Sequence, residues 1–229
     1  MKYRALACDY DGTLAHDGVV TASTAAAIER FRASGRHLFM VTGRELPQLK
    51  EVCPILDRFE WVVAENGALL YQPASDQTRL LCEATCKPLV ESLRQFKIKP
   101  LSVGQAIIAT VEPNEIVVLE EIKRLGLELQ VIFNKGSVMV LPSGVNKATG
   151  LAALLKEAGV SADEVIGVGD AENDHAFLEC CGFGVAVANA LPMLKERADF
   201  VTKGARGDGV AELIDLILAD EVPLSRGSS

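Results

Sequence analysis

"ALACDYDGTLA" spans residues 5 to 15. Four apolar residues, Ala5 to Cys8, run straight into Asp9, Tyr10 and Asp11, and then into Gly12-Thr13. A short apolar run followed by turn chemistry reads as a buried strand. Two carboxylates two residues apart at its end repel one another and cost stability. The arrangement therefore calls for something that relieves the repulsion, and the ends of the other strands show what that is.

Outward from this stretch, strand and helix patterns alternate. The apolar run at 4–10 is followed by a helix over 22–34, with Ala25, Ile28 and Phe31 at helical spacing and Gly35 as its stop. "HLFMVTG", 37–43, reads as a strand. Residues 45–59 place Leu46, Leu49, Val52 and Leu56 on one helical face, with Pro47 near the start and Pro54 kinking or ending the helix. "WVVAENGALLYQ", 61–72, is two β-prone runs about Asn66-Gly67, a hairpin signal. From about residue 80 to 146 the rhythm changes: a helix over 87–99, a strand over 105–112, a helix over 114–127, then a strand pair over 128–144 turning at Asn134-Lys135-Gly136. The first rhythm then returns, with helices at 147–160, 173–181, 191–198 and 209–220 and strands at 164–170, 182–189 and 199–204. Near-continuous apolar strands alternating with helices imply a doubly wound parallel α/β sheet covered on both faces. The expected organisation is a core of residues 1–81 and 147–220, an inserted α+β unit at 82–146, and a flexible tail at 221–229. Internal repeats and low-complexity blocks are absent.

Bulk properties narrow the function classes. Of 229 residues, 31 are acidic and 23 are Lys or Arg, a net charge of −8, and no basic block is interleaved with aromatics, so a nucleic-acid partner is not expected. No apolar run reaches the ~18–20 residues of a membrane span. The first apolar run is broken by Asp9, unlike a secretory signal, and six cysteines without metal-ligand spacing read as reduced, buried thiols; a cytoplasmic location is expected.

In a doubly wound sheet, ligands sit at the carboxyl ends of the strands. The first strand ends in Asp9-Tyr10-Asp11, the second in Thr42-Gly43-Arg44, and the strand at 164–170 in Gly169-Asp170, with Asn173 and Asp174 one turn later. Lys147 opens the preceding helix, where a cation opposes the helix dipole. Residues i and i+2 of an extended strand point the same way, so Asp9 and Asp11 are expected to converge. With Asp170 and Asp174 they offer hard oxygen ligands suited to Mg²⁺, and the cation would relieve the repulsion at 9–11. Thr42, Lys147 and helix-end amides supply donors for a phosphate. Singly, each feature has an ordinary reading: an Asx turn at 9–11, a strand-to-helix turn at 42–43, a solvated Lys147, helix caps at 170 and 174. Arg44 reads either as the partner of a core carboxylate or as a substrate contact. Asn189, after the strand at 182–189, falls at the same edge, whereas His16, His37 and His175 lack metal-ligand spacing.

"DYDGT", "VTGR", the isolated Lys147 and "GDAEND", in that order, resemble the four motifs of the haloacid dehalogenase superfamily of phosphohydrolases. The "ENGA" hairpin, "GVAVANA" after the fourth motif, and the position of the insertion resemble its type IIB, Cof-like branch. The short insertion is similar to the cap of archaeal-type phosphoglycolate phosphatases. The resemblance implies Asp9 as a nucleophile that forms an aspartyl-phosphate and Asp11 as general acid and then base. It implies Thr42, Gly43, Lys147 and Asn173 at the phosphate, and Mg²⁺ on Asp9, Asp11, Asp170 and Asp174. The expected substrate is a small phosphate monoester, a phosphoglycolate-like acid or a sugar phosphate, with Lys135, Arg124 and Lys87 as specificity candidates in a mobile lid hinged near 77–82 and 141–146. A monomer or homodimer is expected. The rival readings are a phosphomutase of the same superfamily, a phospho-receiver domain, and a phosphosugar-binding module.

Overall fold

The computed structural model describes residues 2–223, so most of the expected tail at 221–229 lies outside the described residues. The chain opens with β1 (Ala5–Cys8), α1 (Ala22–Ala33), β2 (His37–Val41), α2 (Leu46–Val52) and β3 (Trp61–Ala64). After one 3₁₀ turn (Glu65–Gly67) come β4 (Leu69–Gln72) and β5 (Gln77–Leu80). Next are α3 (Lys87–Gln95), β6 (Ser102–Val103), β7 (Ile108–Val111), α4 (Glu115–Leu125), β8 (Leu129–Asn134) and β9 (Ser137–Pro142). The chain then continues through α5 (Lys147–Ala158), β10 (Val165–Gly169), α6 (His175–Cys180), β11 (Phe183–Ala186), α7 (Pro192–Arg197), β12 (Phe200–Val201) and α8 (Arg206–Ala219).

Eight strands form one sheet in the order β12-β11-β10-β1-β2-β3-β4-β5. The six from β12 to β3 are parallel, while β4 and β5 are antiparallel to their neighbours. Every residue of β1 is at most 2% exposed. Its side chains alternate between the two faces, so both faces of the sheet centre are covered. The chain winds from β1 through β2 to β3 on one side, then returns to β10 on the other side of β1 and continues outward. The direction reverses between β1 and β10, where the strand ends splay and leave a crevice.

The second sheet, β6-β7-β9-β8, is antiparallel and has its own core. Leu89, Val90 and Leu93 of α3 and Val118 and Ile122 of α4 bury against Ile108 and Val140. A separate small cluster joins the two sheets: Ala68, beside β4, packs with Ala106, Ile107, Met139 and Leu141.

Two local expectations are corrected, at 77–82 and at the cysteines. The segment 77–82, expected as a hinge, is mostly strand β5, whose polar sequence Gln77-Thr78-Arg79 suits a solvent-facing edge. The helix in 45–59 ends as α2, as the position of Pro54 leads one to expect, because Pro54 cannot supply an amide to continue it, and one 3₁₀ turn at Leu56–Arg58 follows. Among the cysteines only Cys8 and Cys53 are buried; Cys180, at the end of α6, is exposed, and all six are unpaired. No helix among the described residues is long and apolar enough to cross a membrane.

Candidate active site

Asp9 follows β1 directly and its amide donates to Val168 O of β10 at 3.0 Å, which pins it at the crevice. Asp170 follows β10, and Asp174 closes the next turn. Its Oδ2 accepts from the amides of Asp170 (2.8 Å) and Ala171 (2.9 Å). One oxygen from each of Asp9, Asp170 and Asp174 lies within 4.8 Å of the others, and all three residues are buried. Gly12 allows this convergence: at φ +85° it turns the chain beside Asp170, and a Cβ there would collide with that carboxylate.

Three buried carboxylates need cations. Lys147 is 1% exposed, and its Nζ donates to Asp9 Oδ1 at 2.6 Å and to Asp174 Oδ1 at 2.5 Å. The helix holds it in place through the Asn146 cap, whose side chain accepts from Thr149 N while Thr149 Oγ1 accepts from Asn146 N. The second cation is Lys135, in the turn between β8 and β9, which donates to Asp170 Oδ2 from across the cleft. Thr13 Oγ1 (3.2 Å) and Asn189 Nδ2 (3.3 Å) also reach Asp170. Burial lifts the Asp9 carboxyl to about 8, against the pull of Lys147. Burial likewise raises Asp170, with Lys135 opposing. For Lys147 burial acts downward, but Asp174 and Asp9 outweigh it and hold the ammonium charged.

Asp11 lies outside the carboxylate group. The strand ends at Cys8, so the alternation that should have aligned residues 9 and 11 stops before it reaches them. Instead Arg44 holds Asp11 in a two-point ion pair. Thr42 is fully buried at the end of β2, and its Oγ1 accepts from Arg44 N at 3.2 Å, leaving its own proton to donate. Gly43 lies beside Asn66 and Asn173. Asn173 Nδ2 donates to Asn66 Oδ1 at 2.9 Å. Asn66 Nδ2 and Asn173 Oδ1 are both buried without a partner, which marks a place for a further polar group. Asn189 also donates to Gly12 O at 2.8 Å, so it braces the turn after Asp11.

Between the sheets lies a cleft of about 340 Å³, lined by Asp9, Asp11 and Arg44 below and by Ile107, Lys135 and Met139 from the second sheet. Of the three specificity candidates, only Lys135 lines it. Arg124 pairs with Glu121 within the second unit, and Lys87 lines a separate groove. The residues that sequence reasoning passed over are Thr13, Asn66 and Glu65. Each sits in a turn, where a polar side chain carries no periodic signal.

A model of haloacid dehalogenase-like hydrolases matches residues 6–121 and 109–214. Phosphoglycolate phosphatase 2 of Saccharolobus solfataricus is 33% identical over 93% of this chain and 92% of its own length. Among solved structures, a haloacid dehalogenase-like hydrolase from Bacteroides thetaiotaomicron superposes with a TM-score of 0.79 at 23% identity, over 94% of this chain and all of that one. A subclass IIB sugar phosphatase superposes at 0.74 and 20% identity, over 96% of this chain and all of its own. The chain belongs to the haloacid dehalogenase-like hydrolases, and within them it is a phosphohydrolase. The enzyme class sets aside the phospho-receiver and binding-module readings.

Proposed function

We propose that the chain hydrolyses a small phosphorylated carboxylic acid, phosphoglycolate or a close analogue, through an aspartyl-phosphate on Asp9. The observation that carries the reading is the convergence of Asp9, Asp170 and Asp174 with a buried lysine at the reversal point of the sheet. Hard carboxylate oxygens at this spacing fit Mg²⁺, held by Asp9, Asp170 and Asp174. Bound there, the cation supplies charge neutralisation to the phosphoryl oxygens and offsets the repulsion among the carboxylates.

This chain's residues supply the rest. Asp9 attacks phosphorus, and the alkoxide leaves with a proton from Asp11. Asp11 then takes a proton from the water that attacks the acyl phosphate, releasing inorganic phosphate and restoring Asp9. Thr42 Oγ1, Lys147 Nζ and Asn66 Nδ2 are assigned as donors for the transferring group, which is where electrostatic stabilisation acts. Residues 82–146 form the cap, and closing it over the cleft excludes water from the phosphoryl transfer.

Three features support a small acid: a cleft at the small end of ligand sites, one cation on the cap side, and the similarity to a phosphoglycolate phosphatase. Once a divalent cation satisfies Asp170, the Lys135 ammonium is free to meet the substrate carboxylate. The second reading, a sugar phosphate, draws on the polar lining by Gln48, Ser102, Asn134 and Ser137, which offers partners for hydroxyls. A phosphomutase fits less well, because a bisphosphate must turn over within the cavity. A screen of phosphate monoesters with Mg²⁺, run on wild type and Lys135→Met, tests the assignment. The expected result is a preference for phosphoglycolate that Lys135→Met removes by raising KM. Equal use of sugar phosphates by both forms would favour the second reading.

A further inference from the structure

The turn Glu65–Gly67 carries three consecutive residues at positive φ: Glu65 at 50°, Asn66 at 55° and Gly67 at 111°. Residues with a Cβ adopt this region only when their surroundings hold them there. Here the surroundings are the catalytic loops. Glu65 N donates to Arg44 O at 2.9 Å and Asn66 N to Thr42 O at 3.0 Å. The Asn66 side chain accepts from Asn173, and Gly67 lies against the carbonyl of Asn146, next to Lys147.

From this platform the Glu65 side chain reaches the loop between β6 and β7 of the second sheet. Its carboxylate is fully buried and accepts from three consecutive amides: Gln105 (2.9 Å), Ala106 (2.8 Å) and Ile107 (3.1 Å). Among the described residues no Lys or Arg forms an ion pair with it, so the three amides are its partners. The two sheets are thus joined by a concave anion site built from one and filled by a carboxylate from the other. Gly104 leaves room for it: a Cβ there would come within 2.7 Å of the carboxylate. Ala68, just past the turn, packs against Ala106 and Ile107 in the cluster that joins the sheets. Ile107, the last residue of the clasp, lines the cleft.

We infer that Glu65 is the positioning residue of the cap. Its carboxylate latches residues 105–107 onto the core, sets the Ile107 wall of the substrate cleft, and ties cap engagement to the loops that carry Thr42, Arg44, Asn173 and Lys147. Opening the cap exchanges three charge-assisted hydrogen bonds for water, so the latch is reversible. The inference rests on reading residues 82–146 as a cap, and it is independent of which ester is the substrate.

The test weakens the latch from each side. Glu65→Gln puts an amide N–H₂ where an acceptor stood. Gly104→Ala leaves the core untouched and crowds the same carboxylate from the cap. Hydrogen exchange followed by mass spectrometry on the Mg²⁺-supplied protein, without substrate, reads the amides of 105–107. Turnover of p-nitrophenyl phosphate reads KM and kcat. Both variants are expected to speed exchange in the 105–107 peptide by about tenfold or more, the effect of losing one charge-assisted bond. Exchange in β1 and β10 stays as in wild type, and KM rises by a larger factor than kcat falls. Unchanged exchange at 105–107 overturns the inference. So does faster exchange spread equally over β1 and β10, or a fall in kcat at constant KM. If Glu65→Gln does not fold, Gly104→Ala decides by the same criteria. Failure of the substrate assignment leaves the exchange result unaffected, so the two readings fail separately.

Discussion

Arg44 grips both oxygens of Asp11, Nε to Oδ2 at 2.6 Å and Nη2 to Oδ1 at 2.7 Å. The pair fixes Asp11 at the floor of the cleft, outside the carboxylate group that contains Asp9. A carboxyl that accepts both guanidinium N–H groups cannot also present a proton to a leaving oxygen. The acid role proposed for Asp11 therefore requires one of these bonds to open during turnover, and Arg44 becomes its positioning partner.

This assignment has a leaving-group signature. Asp11→Asn should slow hydrolysis of an alkyl phosphate by about 10²–10⁴-fold, the range for a lost general acid. Release of p-nitrophenolate, which leaves without a proton, should fall much less in a rapid-mixing burst. Arg44→Lys should show the same pattern with a smaller penalty, because a lysine supplies charge without the two-point geometry. Equal losses on both esters would remove Asp11 from the acid role.

Lys147 is the structural counterpart of the site. Lys147→Met leaves Asp9 and Asp174 buried without the ammonium that joins them. Breaking a buried pair in this way costs about 3–5 kcal/mol. Denaturant unfolding of the metal-free variant should show a loss of that order, and Mg²⁺ should restore part of the stability but no turnover. A variant as stable as wild type would mean that the carboxylates are satisfied by other groups.

The buried Asp9 predicts a pH dependence with a definite sign. Its carboxyl titrates near 8 in the folded chain, against 3.8 for an ordinary aspartate, with burial as the leading cause. A group raised in this way contributes stability that is fully present below the unfolded value and is lost as the pH rises through the folded one. Metal-free protein should therefore lose melting temperature between about pH 4 and pH 8. In the proposed site Mg²⁺ would take the place of the proton, so it should raise Tm more near pH 8 than near pH 5. Differential scanning calorimetry at the two values checks this, and a pH-independent Mg²⁺ shift would contradict it.

Much of this architecture was legible in the chain. The strand-end positions of Asp9, Thr42 and Asp170 follow from apolar runs that stop at a polar residue. The Asn66-Gly67 turn lies between antiparallel β3 and β4, and Asn134-Lys135-Gly136 turns β8 into β9. The rest depended on contacts that local pattern does not encode. β1 pairs with β2 and β10 only as far as Cys8, and a strand three residues longer would have put Asp11 on the same face as Asp9. Glu65 reads as an exposed turn residue, because the amides that bury it lie 40 residues or more away. β5 and β6 are too polar or too short to show in hydrophobic periodicity; they exist because a neighbouring strand offers an edge.

Trapping the proposed aspartyl-phosphate tests the central claim most directly. The Asp11→Asn variant, slowed in the second step, is mixed with Mg²⁺ and p-nitrophenyl phosphate and quenched with borohydride, which reduces an acyl phosphate to an alcohol. Peptide mass spectrometry then locates the reduced residue. Reduction at position 9, dependent on Mg²⁺ and absent from Asp9→Asn, is the predicted result. Turnover with no reduced residue, or reduction at a different aspartate, would contradict the assignment of Asp9 as the nucleophile.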